Sequence, residues 1–158
     1  MDVVTAHPIV DAVLDRYRVA LSGDMPAYRN HVYRCINYHQ ILLGSTIPDA
    51  AALAWAVHDL GIWTARSLDY LAPSADLAVE HAGEFGITDD DQLRMLIIEH
   101  HKLRPSRDRM VETFRKADLV DVSRGILRKP IGRSAVNAVV AELPYRGFHA
   151  FLANGLTR

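Results

Sequence analysis

Residues 51–61, AALAWAVHDLG, decide how the chain folds. A helix carrying Leu53, Trp55, Ala56 and His58 must bury most of its face. The same stretch brings a histidine and an aspartate, His58 and Asp59, to the edge of the apolar run. The run ends at Trp63 and contains a charge, whereas a bilayer span takes about 20 apolar residues. The segment therefore belongs in a protein core.

Working outward, apolar residues recur at helical spacing in nearly every flanking segment, and no stretch alternates as a strand does. A first helix is predicted from about Pro8 to Leu21, with Ile9, Val13, Leu14, Tyr17 and Leu21 on one stripe. A second runs from Met25-Pro26 to Gly44, with proline in its first turn and glycine after its last. The AALAWAVHDLG helix is the third. A fourth follows an APSAD turn (72–76) and contains LAVEHAGEFG (77–86). A fifth starts at the acidic TDDDQ (88–92), whose carboxylates suit a helix N-terminus. MVETFRKADLVDVSRGIL (110–127) makes a sixth, and RSAVNAVVAEL (133–143) and GFHAFLANGL (147–156) make one or two short terminal helices. The expected fold class is all-α, one domain over residues 1–158.

A chain of 158 residues that is 49% hydrophobic can bury one core. Its formal net charge of -1 supplies no basic field for a nucleic-acid polymer. The single cysteine, Cys35, excludes an internal disulfide, and the first twenty residues lack the pattern of a signal peptide. A soluble, cytoplasmic protein without membrane contact is the expectation.

Eight histidines stand out, and six of them (His31, His39, His58, His81, His100, His101) fall in the middle of the chain. Mapped onto the predicted helices, His31 lies on the second, His58-Asp59 at the end of the third, His81 on the fourth, His100 on the fifth and Asp118 on the sixth. Imidazole nitrogen and carboxylate oxygen together suit divalent Fe, Mn, Co, Ni or Zn. A carboxylate can bridge two such ions. Bundles build metal sites from inward side chains of different helices, so widely spaced single ligands are the pattern to expect.

His31 in NHVYR, His58-Asp59 after its apolar helix and Asp118 in KADLVD together resemble the H…HD…D signature of the HD superfamily of metal-dependent phosphohydrolases, over roughly residues 25–125. The resemblance implies an HD-type helical bundle. His81 and His100 match the two extra histidines of dinuclear members, which implies two divalent metal ions. One would be held by His31, His58, Asp59 and Asp118, the other by His81, His100 and Asp59, with Asp59 as the bridge. The implied reaction is hydrolysis of a phosphoester such as a nucleotide, an anionic small molecule, by metal-activated water. IIEHHKL (97–103) resembles the doubled histidine of HD-GYP phosphodiesterases, but LRPSRDR (103–109) follows in place of their GYP loop. Many HD hydrolases keep a charged residue three or four positions after the aspartate, where this chain has LGIW (60–63). Proton transfer would then fall to Glu99, His101 or Lys102. The same ligands resemble those of mixed-valence diiron oxygenases related to inositol oxygenase, and HVYR and HDLG resemble segments of cyanamide-hydratase-like proteins.

Among the other polar residues, Arg34 and Lys102 are candidates to hold an anionic substrate. Adjacent helical residues point about 100° apart, so His100 is preferred over His101 as the ligand. His39 is read as packing or supporting a ligand, Asp121 as an exposed cap-like carboxylate, and Cys35 as a buried thiol. Trp55, Trp63, Tyr28 and Tyr33 are read as core. His7 and His149, near the termini, are given no role.

Overall fold

The ends of the helices follow from the residues that stand there. His7 accepts a hydrogen bond from Ile9 N at 3.2 Å and starts α1 (Pro8–Arg16). Its continuation, α2 (Arg18–Leu21), is separated by Tyr17, whose φ of -101° breaks the single helix expected there. α3 (Met25–Leu43) carries proline near its start and ends at Gly44, whose φ of 80° suits a residue without a Cβ. α4 (Asp49–Val57) is followed by the short α5 (Gly61–Thr64). α6 (Leu71–Ala82) begins earlier than expected, because Pro73 falls in a first turn where its missing N–H costs no helical bond. Asp89 and Asp108 cap α7 (Asp90–Glu99) and α8 (Arg109–Val122), accepting from Gln92 N and Val111 N, both at 3.0 Å. α8 ends before RGIL because Arg124 and Gly125 take left-handed φ of 54° and 82°. α9 (Arg133–Glu142) and α10 (Phe148–Leu156) complete the order. The structure is a computed structural model describing residues 1–67 and 69–156, and among these there is no strand.

α4 is the central rod, with Ala51 through Val57 all buried as the apolar run demands. It packs on α1, α3, α6 and α7, while α3 lies along α8 and α6 along α7. The buried side chains form one core cluster. No described helix is long and apolar enough to cross a membrane. Trp55 stacks on Phe114 at 3.6 Å between ring centroids, joining α4 to α8 beneath the histidines.

Gly61 is fixed by close approach. A Cβ there would meet Tyr70 O at 2.4 Å and Ser74 Oγ at 2.8 Å, and its own N–H donates to that hydroxyl at 2.9 Å. Gly61→Ala must push the start of α6 away, so it is expected to lower stability by about 1–3 kcal/mol, measured by urea unfolding.

His39 is a core histidine. Its Nδ1 accepts from Trp55 Nε1 at 3.0 Å and its Nε2–H points to Thr113 Oγ1 at 2.9 Å, which leaves no room for a second ring proton. Burial lowers its pKa to about 4 from 6.5. Because the unfolded state binds the proton more readily, His39 favours folding fully above pH 6.5. That contribution is lost as pH falls toward 4, by about 3 kcal/mol. The acid-side fall in urea midpoint should therefore be steeper in the wild type than in His39→Gln.

Candidate metal centre

Four helices converge on one buried cluster. α3 brings His31, the end of α4 brings His58 and Asp59, α7 ends on His100, and α8 brings Asp118. His31 Nε2 and His58 Nε2 are 3.0 Å apart. Asp59 Oδ2 lies 3.4 and 3.2 Å from these two nitrogens, and Asp118 Oδ1 lies 3.5 and 3.6 Å from them. Donors bound to one ion at about 2.0–2.2 Å stand about 3.0–3.6 Å apart, so these separations fit a shared ion.

The tautomers sharpen the point. His31 Nδ1 faces Asp121 Oδ2 at 2.7 Å, His58 Nδ1 faces Trp55 O at 2.7 Å, and His100 Nδ1 faces Ile97 O. Each of these partners only accepts, so each Nδ1 carries a proton and Nε2 is the nitrogen each ring turns inward, free to hold a proton or a metal ion. Two lone pairs at 3.0 Å repel unless a cation stands with them. His100 Nε2, Asp59 Oδ1 and Asp118 Oδ1 are buried with no hydrogen-bond partner. Nitrogen and oxygen donors left unsatisfied in this way are what a divalent ion would occupy.

The charges say the same. Burial opposes ionisation of His31, His58, Asp59 and Asp118, and their mutual attraction outweighs it. Asp59 and Asp118 push His58 up to about 10 despite its burial. Burial would raise Asp59 and Asp118, yet the neighbouring histidines hold both below the usual carboxylate range. A bound ion must displace the proton that this field attracts, so loading is favoured as pH rises.

Asp59 turns Oδ2 to His31 and His58 and Oδ1 to His100, 3.5 Å from His100 Nε2. Asp59, His100 and His101 form a second group of ligand atoms, all within 4.8 Å of one another. The expected choice between His100 and His101 does not arise, because α7 stops at Glu99 and helical spacing no longer separates the two rings. His101 Nε2 lies 3.0 Å from Tyr70 Oη. His81 is not brought to the cluster. Its Nε2 lies 2.6 Å from Tyr17 Oη and its Nδ1 3.3 Å from Arg16, because the end of α6 faces α1.

Arg34, expected to face substrate, is fully buried. Its Nε and Nη2 lie 2.6 and 3.0 Å from the two oxygens of Asp121, and Nη1 donates to Leu143 O and Pro144 O. Asp121 is likewise buried and not an exposed cap. It is the carboxylate that orients His31, and Arg34 holds it. Cys35 is a buried thiol, with burial first among the causes raising its pKa. Lys102 is exposed and pairs with Glu99 at 2.7 Å.

Sequence reasoning missed the support supplied after residue 140. Phe148 stacks on the His31 ring at 4.0 Å, and His149 Nε2 donates to Asp121 O at 2.6 Å. A pocket of about 380 Å³ opens onto His100, His101 and Asp118, with Leu103, Leu119 and Leu127 on its walls and Lys102 and Arg115 beside them. Arg115, also unforeseen, pairs with Glu112 at 2.7 Å.

In comparisons with family models, curated proteins and solved structures, nothing matches this chain. Asp121→Asn is expected to weaken divalent-metal binding roughly 10–100-fold, read by titration against a chelator. Unchanged affinity would remove Asp121 from the centre.

Proposed function

We propose that this chain is a metal-dependent hydrolase of the HD type, acting on a phosphoester. The observation that carries this is the set of unsatisfied buried donors, Asp59 Oδ1, His100 Nε2 and Asp118 Oδ1, with His100 and Asp118 also lining an open pocket. When bound, divalent ions lower the pKa of a coordinated water and neutralise charge on phosphoryl oxygens.

The chain's own residues do the rest. His31, His58, Asp59 and Asp118 hold one ion, and Asp59, His100 and His101 offer ligands for another. Asp121 and Arg34 keep the His31 ring in place from behind. His101, which lines the pocket and is hydrogen-bonded to Tyr70, would relay a proton there in place of the apolar LGIW stretch. Lys102 and Arg115 stand where a phosphate would enter.

A second reading, oxygenation of a small organic substrate at a diiron centre, draws support from one feature. Both cations at the pocket already pair with Glu99 and Glu112, and the remaining wall is largely leucine and valine.

Elemental analysis of anaerobically purified protein with its EPR spectrum separates the two. The hydrolase predicts Mn-, Co- or Ni-dependent phosphate release from nucleotides, whereas an iron pair with a half-reduced EPR signal would support the oxygenase. His58→Ala and Asp118→Ala should lose the metal and about 100-fold or more of the activity. His81→Ala should keep both. Protein without stoichiometric metal would overturn either reading.

A further inference from the structure

Residues 122–141 contain four basic residues, Arg124, Arg128, Lys129 and Arg133, and no acidic one. Three of them, Arg124, Arg128 and Arg133, line a cleft of about 390 Å³ together with Val136, Asn137 and Tyr145. No aspartate or glutamate lines it, and none of the metal-ligand candidates does. The cleft lies between the turn after α8 and the side of α9.

Elsewhere among the described residues six arginines have a carboxylate within 4 Å, Arg29 among them at 3.8 Å from Asp11. Arg16, Arg18, Arg34, Arg94 and Arg115 all sit on carboxylates. The three cleft arginines have no carboxylate partner among the described residues. Arg128 Nη1 reaches only Gly125 O, at 3.4 Å, while its Nε is buried with no partner. Arg124 stands in a left-handed backbone conformation, φ 54°, that a side chain with a Cβ rarely takes, with its guanidinium 5.8 Å from the Tyr145 ring. Like charges gathered without a counter-charge repel one another, and a buried N–H without an acceptor costs more than one left in water.

An oxyanion resolves both costs. Guanidinium groups meet phosphate oxygens through paired, charge-assisted hydrogen bonds. The start of α9 has Gly132 at its cap and no side-chain acceptor there, which adds positive potential at the same end. We infer that this cleft is a binding site for a phosphate compound carrying two or more negative charges, separate from the metal centre. The cleft volume falls in the range of small-ligand pockets, and Val136 and the Tyr145 ring supply a wall for an apolar portion.

Calorimetric titration of the full-length protein with inorganic pyrophosphate tests this. Saturable binding is expected, weakened at least about tenfold in Arg128→Gln/Arg133→Gln and unchanged in Asp118→Asn. Arg133 is exposed on the first turn of α9, so Arg133→Gln alone, which removes no core contact, should still weaken binding severalfold if the double variant fails to fold. Three results would overturn the inference: no saturable binding to the wild type, binding indifferent to the arginine substitutions, or binding lost only in Asp118→Asn, which would put pyrophosphate on the metal centre.

Discussion

Each of the three buried imidazoles at the centre spends its Nδ1 proton on an acceptor outside the cluster, and the rest of the site follows from where that leaves Nε2. With Asp121, Trp55 O and Ile97 O taking those protons, three Nε2 atoms and two carboxylates face one another in a buried cluster. Such an arrangement is costly as neutral chemistry and favourable around positive charge. The backbone carbonyls that serve His58 and His100 lie three residues earlier on the same helices, so the turns that end α4 and α7 themselves aim the rings. Only His31, mid-helix on α3, needs a side chain brought from another helix.

That need explains the second layer of the structure. Asp121 cannot sit buried as a bare carboxylate, so Arg34 pairs with it through two nitrogens, and the third nitrogen of Arg34 donates to Leu143 O and Pro144 O. Removing one partner would strand the other's charge, which in buried pairs costs about 3–5 kcal/mol. Tyr145 receives Arg34 on its ring at 4.5 Å and also borders the arginine cleft. Tyr145 therefore links the Arg34–Asp121 support of His31 to the arginine cleft.

Much of this was legible in the sequence. The all-helical class followed from periodicity, and His31, His58, Asp59 and Asp118 were legible because ligand chemistry on separate helices coincided with a resemblance to the H…HD…D signature. His81 misled because spacing along the chain does not say which neighbour the end of a helix will face, and α6 turns that end to Tyr17. Arg34 was read by residue type as facing an anionic substrate and Asp121 as an exposed cap. A signal for their true place was present: His31 and Arg34 are three apart on α3, Asp118 and Asp121 are three apart on α8, and two antiparallel or parallel helices in contact can match such pairs rung by rung. The doubled His100-His101 was judged by helical geometry at a point where the helix has already ended. Phe148 and His149 had no periodic relation to the ligands, so only tertiary packing could reveal them.

The placement of the His31 supports has a consequence for which segment completes the centre. All candidate ligands lie at or before residue 118, but the groups that orient and cover His31 come from 121, 143, 144, 148 and 149. A chain lacking the segment after residue 121 would keep every candidate ligand but lose Phe148 from the His31 ring and His149 from Asp121 O. The buried cluster is therefore complete only once the segment carrying Phe148 and His149 is packed against α3 and α8.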